Sequence, residues 1–303
     1  MTQHATESGG SAVRGQGGAA GPGAHVTAIL PLKHYHPSYL EQCLASLFGQ
    51  SRAAWQAVVV VEPGELSDFS QLLAAALADP RLRLVANEGR KLAGAVNTGM
   101  RHARTEFVAL LLGDDLWAPN AVAVLSAAIT AEPAIDFFHS ARRVVDDNGL
   151  PISSVLPSRA EFTLADFVNG SPVKHLLCWR RELGLAVGGL DERLNSVGPD
   201  DYDFPWIMAE RGARFRALDD CLYYYRDHRA GFRLTTHLPL SVHQRECDRI
   251  LRKHGVAPLV RRAWLDKTRH SYMRQCLYRN SLDRWIKQWL GWDARRGWRD
   301  TYR

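Results

Sequence analysis

Four short apolar runs, Val26 to Leu30, Ala57 to Val61, Leu82 to Ala86 and Phe107 to Leu112, are separated by stretches whose apolar residues recur every three or four positions. Each such helix can bury only one stripe, so strands alternating with helices must form a sheet between helical layers. The helical stretches are Tyr39 to Phe48, Leu66 to Ala78 and Gly89 to Ala103. Because the runs are nearly continuous in Val, Leu and Ile, they predict strands covered on both faces and a mainly parallel sheet. In such sheets ligands collect at the carboxyl ends of the strands.

Beyond Pro119 the pattern turns to α+β. A fourth helix runs to about Thr130, Ile135 to Val145 reads as a strand, and Asp146-Asp147-Asn148-Gly149 as a turn. Phe162 to Val168, Arg180 to Val187 and Tyr202 to Arg211 read as helices, Arg214 to Leu218 and Cys221 to Tyr225 as extended chain, and Leu240 to about Leu290 as two or more helices. Residues 1–24 are rich in Gly, Ala, Ser and Gln, too polar to offset the entropy of ordering, and are expected to be disordered. The expected division is therefore 1–24, a domain over 25–239 and a helical extension over 240–303. At 303 residues and 46% hydrophobic content the chain can bury a sizeable core.

The five cysteines are widely and irregularly spaced, which argues for reduced thiols rather than a metal knuckle. No run of about 18 apolar residues and no basic-then-apolar leader is present, so a cytoplasmic location is expected. Residues 240–303 hold 16 Lys or Arg against 6 Asp or Glu, and five of the nine tryptophans. Trp285, Ile286, Trp289 and Leu290 fall on one helical face, which suits either packing on the domain or peripheral contact with an anionic membrane at its inner face. No nucleic-acid reading motif accompanies the charge, so no nucleic-acid partner is expected.

Three acidic or aromatic clusters carry the chemistry. In Leu112-Gly113-Asp114-Asp115 an apolar strand ends in two carboxylates, hard oxygen ligands of the kind Mg²⁺ or Mn²⁺ takes alongside water and phosphate oxygens. Capping of the next helix would use only one of them. Gly198-Pro199-Asp200-Asp201-Tyr202-Asp203 crowds acids at a helix start, where they compensate the helix dipole or, in a cleft, accept a proton from an attacking hydroxyl. Asp201 is the candidate base. Tyr225-Arg226-Asp227-His228 closes a short aromatic strand.

In this order, the motifs resemble those of family 2 glycosyltransferases, an inverting group with the GT-A fold, over roughly residues 26–255. Val26 to Pro31 with Tyr39-Leu40 is similar to the family's first strand and helix, Asn87 with Gly94 to Gly99 to the segment before the metal-site strand, and Gly113-Asp114-Asp115 to its DxD-type acids. Gly188-Gly189-Leu190-Asp191-Glu192 and the Asp200–Asp203 cluster are similar to its acceptor-side region. The resemblance implies an α/β fold of the GT-A (nucleotide-diphospho-sugar transferase) type, a Rossmann-like mixed sheet flanked by helices with a C-terminal helical extension. It also implies Mn²⁺ or Mg²⁺, a nucleotide diphosphate sugar as donor, and a saccharide, lipid-linked or small-molecule acceptor. Donor contacts would come from Pro31, Lys33, Glu62, Asn97 and Asp114, metal contacts from Asp115 and His228, acceptor contacts from Asp200 and Trp206, and base catalysis from Asp201. The chain departs from the longer acidic motif at Leu112, and Pro205 and Ile207 stand where Trp and Arg are usual. A nucleotide-sugar binding protein without catalysis is the competing reading, ahead of a nucleotidyltransferase, whose glycine-rich phosphate loop Leu30 to Tyr35 does not supply.

Overall fold

The computed structural model describes residues 25–33, 35–194, 201–227 and 240–279, with side chains up to residue 270. Its first half is the expected alternation: strands β1 (Val26–Pro31), β2 (Trp55–Val61), β3 (Leu82–Ala86) and β4 (Phe107–Leu110), with helices α1 (Pro37–Phe48), α2 (Leu66–Leu72), α3 (Ala74–Leu77) and α4 (Lys91–His102) between them. The single helix expected over Leu66 to Ala78 is thus two. The second half adds β5 (Leu116–Trp117), α5 (Ala121–Ala131), β6 (Phe137–Val145), β7 (Leu177–Arg180), α6 (Arg181–Ala186), α7 (Asp203–Glu210), β8 (Phe215–Arg226), α8 (Leu240–Lys253) and α9 (Pro258–Arg279). The helix expected over Phe162 to Val168 is a 3-10 turn at Leu164–Asn169, opened by a Thr163–Asp166 capping box.

All eight strands form one sheet in the order β3-β2-β1-β4-β7-β6-β8-β5. The β1–β2, β1–β4 and β2–β3 pairs are parallel, as continuous apolar strands require. Beyond β4 the sheet is mixed rather than mainly parallel: β7 runs antiparallel to both β4 and β6, and β5 antiparallel to β8. Strand β7 has only four residues and enters helix α6 without a turn residue between, so neither length nor punctuation marks it in the sequence. The two extended segments expected at 214–225 are one strand, with register shifts against β6 between Ser140 and Arg142.

Each sheet face carries its own core. One holds Val26, Ala28 and Leu30 of β1 against Leu40, Cys43 and Leu47 of α1 and Val122 and Leu125 of α5. The other holds Ile29 against Val96 and Met100 of α4, together with Trp179, Phe204, Met208, Ile250 and Leu251. Alternate residues of β1 thus feed opposite faces, as the pleat demands. Helix α8 shares this second core, so the chain beyond residue 239 contributes to the same packed body. No helix among the described residues is long and apolar enough to cross a membrane.

The second half also sinks a histidine. His139 of β6 is fully buried, and neither ring nitrogen has a hydrogen-bond partner among the described residues. Burial disfavours the charged ring and depresses its pKa to about 4. Since the unfolded chain then binds the proton more readily, the neutral ring's contribution is complete above about pH 6.5 and is lost as pH falls towards 4. This ring alone should cost about 2 kcal/mol of stability between pH 7.5 and pH 5. Urea unfolding of His139→Leu at the two pH values should show a drop smaller by that amount, and an unchanged drop would contradict the assignment.

Candidate functional site

Strand order places the mouth of the sheet. The crossover from β1 goes to β2 on one side, whereas β4 returns to pair on the other side of β1, so the connections diverge and leave a crevice at the carboxyl ends of β1 and β4. Pro31 ends β1 there, the exposed Lys33 follows it, Glu62 follows β2, and Asp114 and Asp115 follow β4. Glu62 accepts a hydrogen bond from Asn87 Nδ2 at 3.3 Å, which fixes it beside the β3–α4 connection. The two loops nearly touch: a Cβ on Gly113 would lie 2.3 Å from Leu32 Cδ2, so a larger residue there would require the Leu32 side chain to shift.

The two acids part company. Asp115 is 1% exposed; its Oδ2 accepts from Tyr223 Oη at 2.7 Å and its Oδ1 from the Arg226 backbone N–H at 2.7 Å. Burial, and then the neighbouring Asp114 charge, push the Asp115 carboxyl well above the usual range. This corrects the expectation of a metal ligand at Asp115: its oxygens face inward and hold β8 to the turn. Asp114 is half-buried at the mouth. Its backbone oxygen accepts from Arg226 Nε at 2.7 Å, and its charge is felt at Tyr39, whose hydroxyl donates to Asp147 Oδ1 at 2.6 Å.

Arg226, quoted in the sequence only as part of a motif, is the hub of this arrangement. Its buried guanidinium also donates to Asp146 O at 2.9 Å, Asp147 O at 2.8 Å and Gln42 Oε1 at 3.0 Å, and it lies 4.5 Å from the Tyr39 ring centroid. One side chain thereby joins β8, α1, the acidic turn and the 146–149 turn.

Asp201 is half-buried just ahead of α7, whose apolar residues pack in the core shared with α4. Lys174, in the loop before β7, is depressed by burial and held up in part by the Asp201 charge, which brings a cation that sequence reading missed into the neighbourhood of the candidate base. Asp200 and His228 lie outside the described residues. Trp206 corrects another expectation: it is 3% exposed, stacked on Phe167 and on His254, so its ring is core and not an acceptor surface. Asn97, expected at the donor, is likewise spent elsewhere. Its Nδ2 donates to Leu190 O and Glu192 Oε1, and its Oδ1 accepts from Leu190 N–H at 2.8 Å. Gly189 makes this approach possible, since a Cβ there would lie 2.3 Å from Asn97 Oδ1. The Gly188–Arg193 loop so anchored lines a 540 Å³ cleft with Glu210, Arg211, Lys253 and His254.

Among the described residues no group of three or more His, Cys, Asp or Glu side chains could hold a metal alone. Asp114 is the half-buried carboxylate at the strand end, and a hard dication that took most of its ligands from phosphate and water would need only one or two such groups.

Comparison with known proteins agrees with this architecture. The model for "Glycosyl transferase family 2" matches residues 27–174. The O-antigen biosynthesis protein RfbC of Myxococcus xanthus is 27% identical over 212 residues, 67% of this chain and 16% of the relative. The UDP-Glc:alpha-D-GlcNAc-diphosphoundecaprenol beta-1,3-glucosyltransferase WfgD of Escherichia coli is 26% identical over 132 residues, 42% of this chain and 51% of the relative. This chain therefore spans about half of the length of one of these curated relatives and 16% of the other. The mannosyltransferase PcManGT of Pyrobaculum calidifontis, solved with GDP-Man and Mn²⁺, superposes with a TM-score of 0.54 at 22% identity over 80% of this chain and 68% of that one. The chain is similar to glycosyltransferase family 2 from β1 through β6, and its curled mixed sheet is the GT-A fold.

The two acids should separate experimentally. Asp115→Ala strands the Tyr223 hydroxyl and a buried N–H, at about 2–4 kcal/mol of stability. Asp114→Ala, at the half-buried mouth, should cost about 1 kcal/mol or less. Urea denaturation of both variants checks the order, and equal losses would contradict it.

Proposed function

We propose that the chain transfers a sugar from a nucleoside diphosphate donor to an acceptor hydroxyl by a single inverting displacement, with Asp201 as the general base. The observation that carries this reading is the division of the site. One carboxylate, Asp114, follows β4 at the switch-point crevice formed by the sheet, and a second, Asp201, stands at the start of helix α7, which packs in the core shared with α4. A donor diphosphate needs the first, and an acceptor hydroxyl needs the second.

In this mechanism Pro31, Lys33 and Glu62 border the nucleoside at the ends of β1 and β2. Asp201 accepts the proton of the acceptor hydroxyl as its oxygen bonds to the anomeric carbon. The bond to the diphosphate oxygen breaks on the opposite face, the electron pair leaves with the diphosphate, and the anomeric configuration inverts. Mn²⁺ or Mg²⁺, held by Asp114, would supply positive charge against the departing diphosphate. Lys33, exposed beside the crevice, and the Arg226 guanidinium beneath the acidic turn add fixed positive charge from the chain itself.

The donor class is supported by the nucleotide sugars named for WfgD and PcManGT, and the metal by the Mn²⁺ of the latter. For the acceptor we favour a lipid-linked saccharide, the class WfgD is named for. Peripheral membrane contact accords with the first turn of α9, where Leu259 is 80% exposed and Val260 46%, beside the exposed Arg262.

Nucleoside diphosphates should raise the melting temperature in a Mn²⁺-dependent manner, since a ligand selective for the folded state stabilises it. Asp114→Asn should abolish the Mn²⁺ dependence. Asp201→Asn should keep the shift and lower turnover by about 10²- to 10⁴-fold. Wild-type turnover in Asp201→Asn would refute the base assignment.

A further inference from the structure

Asp201 is followed by two residues anchored in different directions. Tyr202 Oη donates to Phe167 O at 2.9 Å, while Asp203, fully buried, has Lys253 Nζ 2.8 Å from Oδ2 and His254 Nε2 3.1 Å from Oδ1. The other nitrogen of the same imidazole, Nδ1, lies 2.9 Å from Glu210 Oε1. Asp203 and Glu210 are the first and last residues of α7, and between them the His254 ring lies flat on Trp206, at 4.0 Å and 2°. A single ring therefore spans the helix from end to end and rests on its middle.

Lys253 extends the network outward, reaching Asp191 Oδ2 at 2.9 Å as well as Asp203. Asp191 also takes the Arg193 guanidinium, and these partners hold its carboxyl far below the usual range. A fully buried carboxylate such as Asp203 is tolerated only while its partners stay in place. Any displacement of Lys253 or His254 must therefore shift the first turn of α7, and with it the residue two positions upstream.

We infer that Lys253 and His254 are positioning residues that set where Asp201 stands, which makes the carboxyl end of α8 part of the transfer machinery. The inference rests on the reading of Asp201 as base. A base in direct contact with the attacking hydroxyl is sensitive to placement, and an error of about 1 Å can cost about 100-fold in rate. The donor crevice is built by β1, β2 and β4 and does not depend on α7.

The test is a double-mutant cycle on the full chain with single-turnover transfer as readout. His254→Ala should lower kcat by about 10- to 100-fold with donor KM within about 2-fold of wild type. His254→Gln, whose amide can still donate to Asp203, should recover part of the loss. In an Asp201→Asn background His254→Ala should have no further effect, because there is no base left to misplace. The inference is overturned if the two losses multiply, if donor KM absorbs the effect, or if kcat does not change. Should His254→Ala fail to fold, Lys253→Met and His254→Gln run the same cycle with the same criteria. Wild-type kcat in Asp201→Asn is a separate outcome: it removes the base reading and leaves any His254 effect without Asp201 as its cause.

Discussion

The mouth of this sheet is held by a buried guanidinium whose hydrogen bonds, among the described residues, go to carbonyl and amide oxygens. Arg226 satisfies its donors on the oxygens of Asp114, Asp146, Asp147 and Gln42, three of them backbone carbonyls. Carbonyl dipoles solvate the charge without neutralising it, and the neighbouring Asp114 and Asp115 stand against it at the turn. A lysine could not replace it, because an ammonium presents its donors from one point and cannot reach oxygens on both sides of a plane. The same residue donates its backbone N–H to Asp115, so the acidic turn is gripped at both of its residues.

That grip explains why two adjacent acids do different work. Gly113 and Asp114 form a turn closed by the Asp115 N–H donating to Leu112 O at 3.0 Å, and beyond it Asp115 is buried while Asp114 stays half-buried. The pairing of β5 with β8, where Trp117 faces Tyr223, brings the Tyr223 hydroxyl to the inward one. Nothing local to Leu112-Gly113-Asp114-Asp115 encodes that choice, since it is made by a strand more than a hundred residues later. The sequence pattern could therefore place the carboxylates at the crevice without assigning their roles.

The same limit separates what was legible from what was not. Strands β1 to β4 and the helices between them follow from apolar period and length, both local properties, and lie within about two residues of the expected bounds, except that the helix expected over 66–78 is split in two. Strand β7 was not, because a four-residue run becomes a strand only by wedging between β4 and β6. Asn97 and Trp206 sit in motif-like segments, yet their environments are set by the 188–193 loop and by His254, contacts at long range in the chain. The position of Asp201 ahead of a helix was legible because acids at a helix start are a local signal; its neighbour Lys174 was not, because their proximity is tertiary.

These long-range contacts form a continuous path between the two halves of the site. Asn97 of α4 holds Leu190 through both amide atoms, Asp191 follows and binds Lys253, and Lys253 binds Asp203 at the head of α7. Helix α4 in turn begins where Asn87 engages Glu62 at the end of β2. The path thus runs from the carboxyl end of β2 to the helix that follows Asp201. Its strand end is stiffened by backbone ladders and its α7 end by side-chain charge pairs, whose strength depends on ionisation and on the exclusion of water. In the mechanism we propose, the α7 end is the acceptor side and consequently the softer half, at which a bound acceptor can most easily alter the geometry.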